Sequence, residues 1–379
     1  MIVDADMSDL WKSAAEAMRP RLEAVVALAD SKVRGLIERD PGYFPMYTKA
    51  GKWRHSGETW TDWCAGFLVG LQWLLYRQTG NQFWREQAEN HCRLIEHKKH
   101  DQTVHDLGFI FLNSYLPWYE RTGDARLQEV LITAGRTLSG RYQPKGGYIA
   151  SFIGPQSLFI DIMMNVPIVF YAARETGDEA LLTIAQTHCR TTERTLVRPD
   201  GGTAHEGLFD AETGRFIGQS THQGLSAESD WSRGLAWSLY GFGTVFRYTQ
   251  DPADRHVAVR NADHFLERLP ASGVAPWDFD APEGPDRLDD SSASAIAASG
   301  LWQLADLVDD PQRSDRYRTA TLTILDALCT DRYLSGRDPD WEGILKHGVY
   351  HMHKKLGVDE SVMWGDFFLL EAVCRVLEA

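Results

Sequence analysis

Apolar residues recur along this chain at the spacing of amphipathic helices, and each helical stretch gives way to a short polar segment before the next begins. In three of these polar stops a glycine suits the left-handed conformation that ends a helix, and the following Asn or Asp suits the N-cap of the next one. This repetition predicts that the building unit is a helical hairpin. The stops are Thr79-Gly80-Asn81, Thr122-Gly123-Asp124, Thr176-Gly177-Asp178, Thr249-Gln250-Asp251 and Val308-Asp309-Asp310.

The predicted helices form two alternating sets. One set mixes charged and apolar residues, as surface helices do, and covers about 8–38, 81–98, 124–140, 178–196, 252–270 and 311–331. The other set is apolar on nearly every side, which indicates burial all round, and covers about 61–79, 105–122, 157–176, 230–249, 290–308 and 362–378. This strict alternation predicts an all-α fold, a closed (α/α)6 barrel, and we expect residues 1–379 to form it as a single domain.

Little in the pattern indicates β-strands, and the segment Gly146-Gly-Tyr-Ile-Ala-Ser has the composition of a loop. The longest connections, at about 197–229, 271–289 and 332–361, are rich in Gly, Asp and aromatic residues. Connections of that length within a compact domain usually carry function.

Polar side chains cluster at the predicted starts of the inner helices. Because these helices are parallel, we expect their starts to meet at one mouth of the barrel. Capping or structural hydrogen bonding is the favoured interpretation for most of the carboxylates, since they complement the helix dipole. These residues are Asp62, Asp230, Asp289, Asp290 with Ser291, and Asp366.

Asp161 differs because it lies within an apolar run, where capping does not explain it. A buried carboxyl without a partner is costly, and Asn165, one turn on, could hydrogen-bond to it. Burial predicts a raised pKa for Asp161, as a general acid at neutral pH requires, and a nearby Asp106 would raise the pKa of one of the two further. A satisfied core aspartate is the alternative interpretation.

Other candidate residues suggest cofactor-free chemistry. Arg233 and Trp237 lie one turn apart and could hold a carboxylate beside a sugar ring, although a packing pair fits the spacing equally well. The histidines at 347, 351 and 353 have no acidic or cysteine partner at ligand spacing, so we predict no metal site. Nucleotide-binding glycine loops and nucleophile elbows are absent, which favours acid/base chemistry without a cofactor.

Composition narrows the range of partners. The formal charge of −14 disfavours nucleic acid, and no apolar run reaches the length of about 18 residues that a membrane span needs. Residues 1–20 contain no signal-peptide stretch, and the five cysteines are scattered without a CxxC pair. We therefore expect a cytoplasmic protein without membrane association or an obligate protein partner.

Several motifs together resemble the unsaturated glucuronyl hydrolases, glycoside hydrolase family 88, from about Trp60 to the C-terminus. The motifs are His105-Asp106-Leu-Gly-Phe, Ile160-Asp161-Ile-Met-Met-Asn165-Val-Pro167, Thr221-His222-Gln223-Gly224, Trp231-Ser-Arg233-Gly234-Leu-Ala-Trp237 and Trp277-Asp278-Phe279 followed by Asp290-Ser-Ser-Ala. The family folds as an (α/α)6 barrel. Its members act on lyase-generated oligosaccharides that carry a 4,5-unsaturated uronic acid at the non-reducing end.

The resemblance also implies roles for individual residues. It places the acid/base on Asp161 and a second essential carboxylate on Asp106. It implies substrate contacts from Trp63, His105, His205, His222, Gln223, Trp231, Arg233 and Trp237. The chain departs from the family at Phe152, where a Trp is frequent, and at Val349 and Met352, where members favouring sulfated substrates carry serines. Of the loop residues found in those members, only the lysine is present here, as Lys354. This argues against a preference for sulfated substrates.

Three alternatives remain open from the sequence. The first is unsaturated rhamnogalacturonyl hydrolysis of pectin fragments on the same barrel. The second is a sugar 2-epimerase with His205 or His222 as acid/base, which the context of Asp161 disfavours. The third is a non-catalytic helical scaffold, which would not place polar groups on buried helices at a cost of about 1–3 kcal/mol each if unpaired.

Overall fold

The computed structural model describes residues 7–56 and 63–379, so residues 61 and 62, where an inner helix was expected to begin, lie outside the described residues. The outer helices are α1 (Met7–Arg39), α3 (Gln82–Ile95), α6 (Ala125–Ser139), α9 (Glu179–Leu196), α11 (Pro252–Arg268) and α13 (Pro311–Leu328). The inner helices are α2 (Ala65–Thr79), α4 (Leu107–Phe111) with α5 (Tyr115–Thr122), α7 (Ile162–Asn165) with α8 (Pro167–Thr176), α10 (Ser232–Thr249), α12 (Ser291–Ala305) and α14 (Met363–Leu377). Single 3-10 turns cover Glu96–His100 and Ser335–Arg337.

The inner helices form a closed ring. α2 packs on α4, α4 on α7, α7 on α10, α10 on α12, α12 on α14, and α14 packs on α2 again. Each outer helix lies against an inner helix that adjoins it in sequence, and α1 closes the circle against α13 and α14. Every residue of α12 is buried, as expected for an inner helix. The all-α (α/α)6 barrel is confirmed.

The polar stops end and begin helices as predicted. Three of them close with a left-handed glycine, at φ values of 65°, 64° and 66° for Gly80, Gly123 and Gly177. After the third, Asp178 caps α9 by accepting hydrogen bonds from the N–H groups of Ala180 and Leu181. At the fourth, Gln250 takes the left-handed conformation and Asp251 caps α11. The stops therefore define the ends of the hairpins.

Two inner segments predicted as continuous helices, 105–122 and 157–176, are broken, so that prediction was wrong. The second segment begins as a strand and starts a new helix at Pro167, which has no N–H and suits a first helical turn. In the first, the hydroxyl of Ser114 donates to the carbonyl of Ile110 at 2.6 Å, beside the break at residues 112–114. The short pieces allow a close approach, since a Cβ on Gly108 would lie 2.4 Å from Cα of Asn165.

Short antiparallel strands connect the helices, contrary to the expectation of little β-structure. β1 (Tyr142–Gln143) pairs with β2 (Tyr148–Ile149), so the segment interpreted as a loop at 146–151 contains a strand. The second sheet has the order β3-β4-β5, with Phe159 opposite Glu206, and β6 pairs with β7 as a hairpin. The remaining strand bounds are β3 (Ser157–Phe159), β4 (Glu206–Phe209), β5 (Phe216–Ser220), β6 (Gly348–His351) and β7 (Leu356–Glu360).

All five cysteines are buried and none forms a disulfide bond. Burial raises the pKa of Cys189 and of Cys374 to about 12, so both remain protonated and pack as apolar side chains. Over the described part of the chain, no helix combines the length and the apolar content that crossing a bilayer requires.

Candidate active site

A pocket opens at the mouth of the barrel where inner helices begin. Asp106 immediately precedes α4 and Asp161 immediately precedes α7, so both carboxyls reach the same end of the ring. The starts of the inner helices thus meet at one mouth, as their parallel arrangement predicts. The lining side chains are those of Trp63, His105, Asp106, Phe109, Phe152, Phe159, Asp161, Gln223, Arg233, Trp237 and Tyr350.

His105 lies between two carboxyls at the base of this pocket. Its Nε2 is 3.5 Å from Oδ1 of Asp106 and 3.6 Å from Oδ2 of Asp161. The side chain of Asp106 is only 5% exposed, whereas that of Asp161 is 18% exposed. Oδ1 of Asp161 is buried and has no hydrogen-bond partner among the described residues, so the exposed part of this carboxyl lies elsewhere on the side chain. Asp161 is therefore the carboxyl that can interact with an incoming molecule.

The backbone determines which nitrogen of His105 carries the hydrogen. The N–H of Phe152 donates to Nδ1 at 2.9 Å, which requires the Nδ1 lone pair, so the hydrogen of the neutral ring lies on Nε2 and faces the carboxyls. Burial lowers the pKa of His105, but the charges of Asp106 and Asp161 outweigh this and raise the pKa on balance. A second proton could enter only at Nδ1, in competition with the Phe152 amide.

The two carboxyls have pKa values shifted in opposite directions. Burial raises the pKa of Asp106 to about 7, and the charge of Asp161 contributes to the shift. Burial also acts to raise the pKa of Asp161, but the charge and the hydrogen bond of His105 outweigh it, and the pKa is lowered. The expectation of a raised pKa on Asp161 was therefore wrong for the free protein, in which Asp106 has the raised pKa.

Asn165 supports the site in a way that the sequence did not predict. Its Nδ2 donates to the backbone carbonyl of Asp161 at 3.0 Å, and its Oδ1 accepts the N–H of Phe109 at 2.7 Å. The predicted hydrogen bond to the Asp161 carboxyl is not formed, because both ends of the amide are used on the backbone. Asn165 instead joins α7 to α4 and so fixes the two helix starts that carry the carboxyls.

Arg233 places a buried positive charge in the pocket wall. Its Nη2 donates to Oε1 of Gln223 at 3.1 Å and to the carbonyls of Val349 and Tyr350 at 3.2 and 2.5 Å. Its Nε lies 3.7 Å from Oδ2 of Asp290. Burial lowers the pKa of Arg233, although a guanidinium remains charged at any working pH. A cation fixed in this way attracts an anionic group without reorganisation.

The tryptophans near Arg233 divide between two roles. The guanidinium of Arg233 lies over the ring of Trp231 at 4.4 Å, and Arg233 and Trp237 line the same pocket. Trp237 packs on Phe109 with ring centroids 4.9 Å apart. Trp231 therefore supports the cation from behind, while Trp237 lines the pocket.

His205 is held neutral by the loop that contains His222 and Gln223. Nδ1 of His205 accepts the N–H of His222 at 3.1 Å and that of Gln223 at 3.0 Å. Burial lowers the pKa of His205 to about 3. Because protonation at Nδ1 would break both bonds, His205 is a poor acid/base for an epimerase. The ring of His222 packs beside Phe159, with centroids 5.8 Å apart.

The other carboxylates at the inner-helix starts have structural partners, which confirms the favoured interpretation for the described ones. Asp290 caps α12 by accepting the N–H groups of Ser292 and Ala293, and Ser291 is the first residue of that helix. Asp62 lies outside the described residues. The remaining partners are Arg198 and His264 for Asp230, Arg332 and Tyr333 for Asp289, and the N–H groups of Ile344 and Leu345 for Asp366.

Within residues 7–56 and 63–379, a group that could hold a cation consists of His105, Asp106 and Asp161, whose ligand atoms lie within 4.8 Å of one another. Coordination by Nε2 of His105 needs a lone pair on that nitrogen. The Phe152 N–H occupies Nδ1 and leaves the hydrogen on Nε2. The tautomer therefore favours proton chemistry over metal binding at this group.

Comparison with known proteins assigns the chain to a family. The model of Glycosyl Hydrolase Family 88 matches residues 42–305. The chain belongs to this family. An unsaturated glucuronyl hydrolase of Bacillus sp. (strain GL1) is 36% identical over 331 residues, which cover 83% of this chain and 86% of that protein. An unsaturated chondroitin disaccharide hydrolase of Streptococcus pneumoniae (strain ATCC BAA-255 / R6) is 33% identical over 324 residues, which cover 83% and 82%.

Solved structures agree with the family 88 assignment. The unsaturated glucuronyl hydrolase of Bacillus sp. GL1 superposes with a TM-score of 0.87 at 32% identity, covering 94% of this chain and 96% of that one. An unsaturated glucuronyl hydrolase specific for heparin superposes with a TM-score of 0.88 at 28% identity, covering 95% and 97%. This family 88 chain is accordingly a glycosidase.

The positions at which this family 88 chain departs from the expected motifs lie around the pocket. The ring of Phe152 is roughly parallel to that of His105, with centroids 5.8 Å apart. Val349 is buried, Met352 is half-buried and Lys354 is exposed. Neither Val349 nor Met352 offers a hydroxyl group to a sulfate.

Three aromatic residues of the family 88 pocket were not identified from the sequence. Phe109 and Phe159 lie within three residues of the two carboxyls along the chain, and this proximity was a usable signal. Tyr350 faces Trp63 with nearly parallel rings at 6.2 Å, from the far end of the sequence. Only the length of the 332–361 connection suggested a role for that segment.

Proposed function

We propose that this family 88 glycosidase removes a 4,5-unsaturated uronic acid from the non-reducing end of lyase-generated oligosaccharides. The observation that carries the proposal is the carboxyl pair Asp106 and Asp161 around His105, in a pocket whose wall contains the fixed cation Arg233. A conjugated enol ether requires a proton donor, and its carboxylate requires a nearby positive charge. The named relatives favour this reaction over the rhamnogalacturonyl alternative.

Asp161 is the proposed acid/base because its side chain is the more exposed of the two carboxyls. In the free protein the pKa of Asp106 is raised to about 7 and that of Asp161 is lowered, so a proton taken up by the pair favours Asp106. A bound uronate adds negative charge and displaces water, and both effects raise the pKa of Asp161. The hydrogen on Nε2 of His105 then stabilises whichever carboxyl has lost its proton.

The reaction begins with transfer of the Asp161 proton to C4 of the substrate. Positive charge then develops on C5 and the ring oxygen, where the carboxylate of Asp106 stabilises it. Ionised Asp161 removes a proton from water, whose oxygen adds to C5 and forms a hemiketal. The hemiketal opens to a ketone at C5 and leaves C1 as a hemiacetal. Its breakdown releases the next sugar, so the double bond is hydrated and the glycosidic bond is broken.

From their positions we infer two groups of residues: those that contact the substrate and those that hold the contacting residues in place. Those that line the pocket would contact the uronate directly: Trp63, His105, Gln223, Arg233 and Trp237. His205 and His222 act by fixing the loop that carries Gln223, and Trp231 acts by supporting Arg233. Since Val349 and Met352 lack hydroxyls, we propose unsulfated disaccharides as the preferred substrates.

The decisive experiment replaces Asp161 by Asn, which keeps the shape and removes the transferable proton. We expect Asp161→Asn to abolish the loss of near-ultraviolet absorbance from an unsaturated disaccharide, with a fall in kcat on the order of 100-fold or more. Asp289→Asn is the matched control, because Asp289 binds Arg332 and Tyr333 outside the pocket. Full activity in Asp161→Asn would refute the assigned role.

A panel of disaccharides resolves the substrate class. Lyase products of hyaluronan, chondroitin sulfate, heparin, gellan and xanthan differ in sulfation and in the sugar that follows the uronate. We expect higher kcat/KM for the unsulfated members. Faster turnover of sulfated ones, or turnover of pectin fragments alone, would contradict the proposed specificity.

We propose the cytoplasm as the place of action. The support is that all five cysteines are buried without a disulfide bond, as is usual where thiols stay reduced. Fractionation of cells that express the full chain, followed by assay on a lyase-generated disaccharide, tests this placement. Activity confined to an extracytoplasmic fraction would contradict it.

A further inference from the structure

Behind the pocket, Arg141 connects two loops that meet at His105. Its Nη1 and Nη2 donate to the backbone carbonyls of Gln102 and Ser151. Gln102 lies three residues before His105, and Ser151 immediately precedes Phe152, whose N–H donates to Nδ1 of His105. One guanidinium thus holds both the segment that carries the imidazole and the segment that determines its tautomer.

The remaining contacts of Arg141 make this connection rigid. Its Nε donates to the carbonyl of Ala150 at 2.8 Å, and its own carbonyl accepts the N–H of Ala150 at 3.0 Å. Ser151 is fixed in turn by hydrogen bonds to Ser157, from N–H to carbonyl at 2.8 Å and between the hydroxyls at 2.7 Å. The planar guanidinium contacts three carbonyls at once, which a lysine ammonium on a flexible stem cannot match.

No carboxylate of the described residues lies within ion-pair distance of Arg141, although its charge is partly buried. Burial lowers the pKa of Arg141, and Asp106 acts in the opposite direction. Arg141 is also absent from the lining of the pocket that contains the carboxyl pair. Its cation is therefore used to organise the backbone near the carboxyl pair.

We propose that Arg141 is a positioning residue for the acid/base pair. By holding the carbonyls of Gln102 and Ser151, it keeps the Phe152 amide on Nδ1 of His105 and the Nε2 hydrogen directed at the two carboxyls. The inference rests on the proposed function of Asp106 and Asp161. Without Arg141 the amide separates from Nδ1, a proton binds there more readily, and the cationic form of His105 lowers the pKa of both carboxyls, which weakens their hold on the proton that the reaction transfers.

The test is Arg141→Met in the full chain, which keeps an apolar stem and removes every donor. Nitrogen-15 shifts of the His105 ring, assigned with His105→Gln, report the tautomer without any substrate. In a pH titration we expect the neutral ring of the parent protein to carry its hydrogen on Nε2, and we expect the second proton to bind Nδ1 at a higher pH in Arg141→Met than in the parent protein. We also expect kcat to fall on the order of 10- to 100-fold, as for a misplaced catalytic group, with KM little changed. Arg141→Lys should lie between the two.

Arg255→Met is the matched control, since Arg255 also donates to a backbone carbonyl, that of Leu307, at the opposite mouth. It should change neither the His105 shifts nor kcat. A parent-like titration of the His105 ring in Arg141→Met overturns the proposal, as does a loss of stability with an unchanged titration. If Arg141→Met does not fold, Arg141→Lys decides by the same shifts. A parent protein inactive on every unsaturated disaccharide would defeat the proposed function, while the tautomer would still be measured independently.

Discussion

At the scale of single residues, backbone amides set the protonation state of buried histidines. Nδ1 of His188 accepts the N–H of Ile149 at 3.1 Å, in the same way that Nδ1 of His105 accepts that of Phe152. At His105 the charges of two carboxyls outweigh the lowering of the pKa by burial. At His188 burial dominates and lowers the pKa to about 3. The same hydrogen bond from a backbone N–H to Nδ1 thus occurs at His105 in the proposed active site and at His188 in the core.

His188 makes the stability of the fold depend on pH. An unfolded histidine titrates near pH 6.5, so between that value and about 3 the unfolded state binds a proton that the folded state does not. The contribution of His188 is complete above pH 6.5 and is lost as the pH falls. Relative to His188→Gln, we expect the free energy of unfolding to fall by about 2 kcal/mol between pH 7 and pH 5. Urea unfolding of both proteins at both pH values measures this.

The design of this comparison isolates the titration of one ring. Glutamine offers an oxygen that can accept the Ile149 N–H but cannot take up a proton. His100→Gln, at an exposed position, is the control and should follow the parent protein at both pH values. An equal difference between the parent protein and His188→Gln at pH 7 and pH 5 would show that His188 does not contribute to the pH dependence.

At the scale of elements, the site depends on how closely the short inner helices approach one another. A Cβ on Gly108 of α4 would lie 2.4 Å from Cα of Asn165 in α7, and one on Gly66 of α2 would lie 2.3 Å from the carbonyl oxygen of Phe109. Asp106 lies at the start of α4, and Asp161 lies at the start of α7. Backbone contact at the glycines therefore determines the separation of the two carboxyls.

Replacing Gly108 by Ala should affect both stability and activity. The added methyl must push α4 away from α7, which overpacks the core at a cost of about 1–3 kcal/mol and moves Asp106 relative to Asp161. We expect a lower midpoint of thermal unfolding and a reduced kcat. Gly35→Ala is the matched control, because nothing lies within 4 Å of a Cβ there in α1. It should stabilise by about 0.5–1 kcal/mol without changing kcat. A parent-like kcat in Gly108→Ala would contradict the argument.

At the scale of the whole molecule, the ring was predictable because helical period and polar stops are local properties of the sequence. Asp161 was also identifiable, since it interrupts an apolar run, whereas the role of Asp106 was implied by the family resemblance. The breaks at residue 114 and at Pro167 were harder to predict, because they follow from contacts between helices. The local sequence pattern could not predict how Asp106 and Asp161 are protonated, because this depends on the Phe152 N–H, which lies 47 residues from His105 along the chain.

The polar stops and the chemistry occupy opposite mouths, because the stops follow the ends of inner helices whose starts carry the carboxyls. Gly177 closes α8 at φ 66° with nothing within 4 Å of a Cβ, so only backbone strain opposes a substitution there. We expect Gly177→Ala to destabilise by about 1–2 kcal/mol and Gly177→Asn by less, since Asn tolerates the left-handed conformation. Denaturant unfolding measures both. The ratio of kcat/KM between two disaccharides should stay the same in each variant, and a changed ratio would show that the two mouths are coupled.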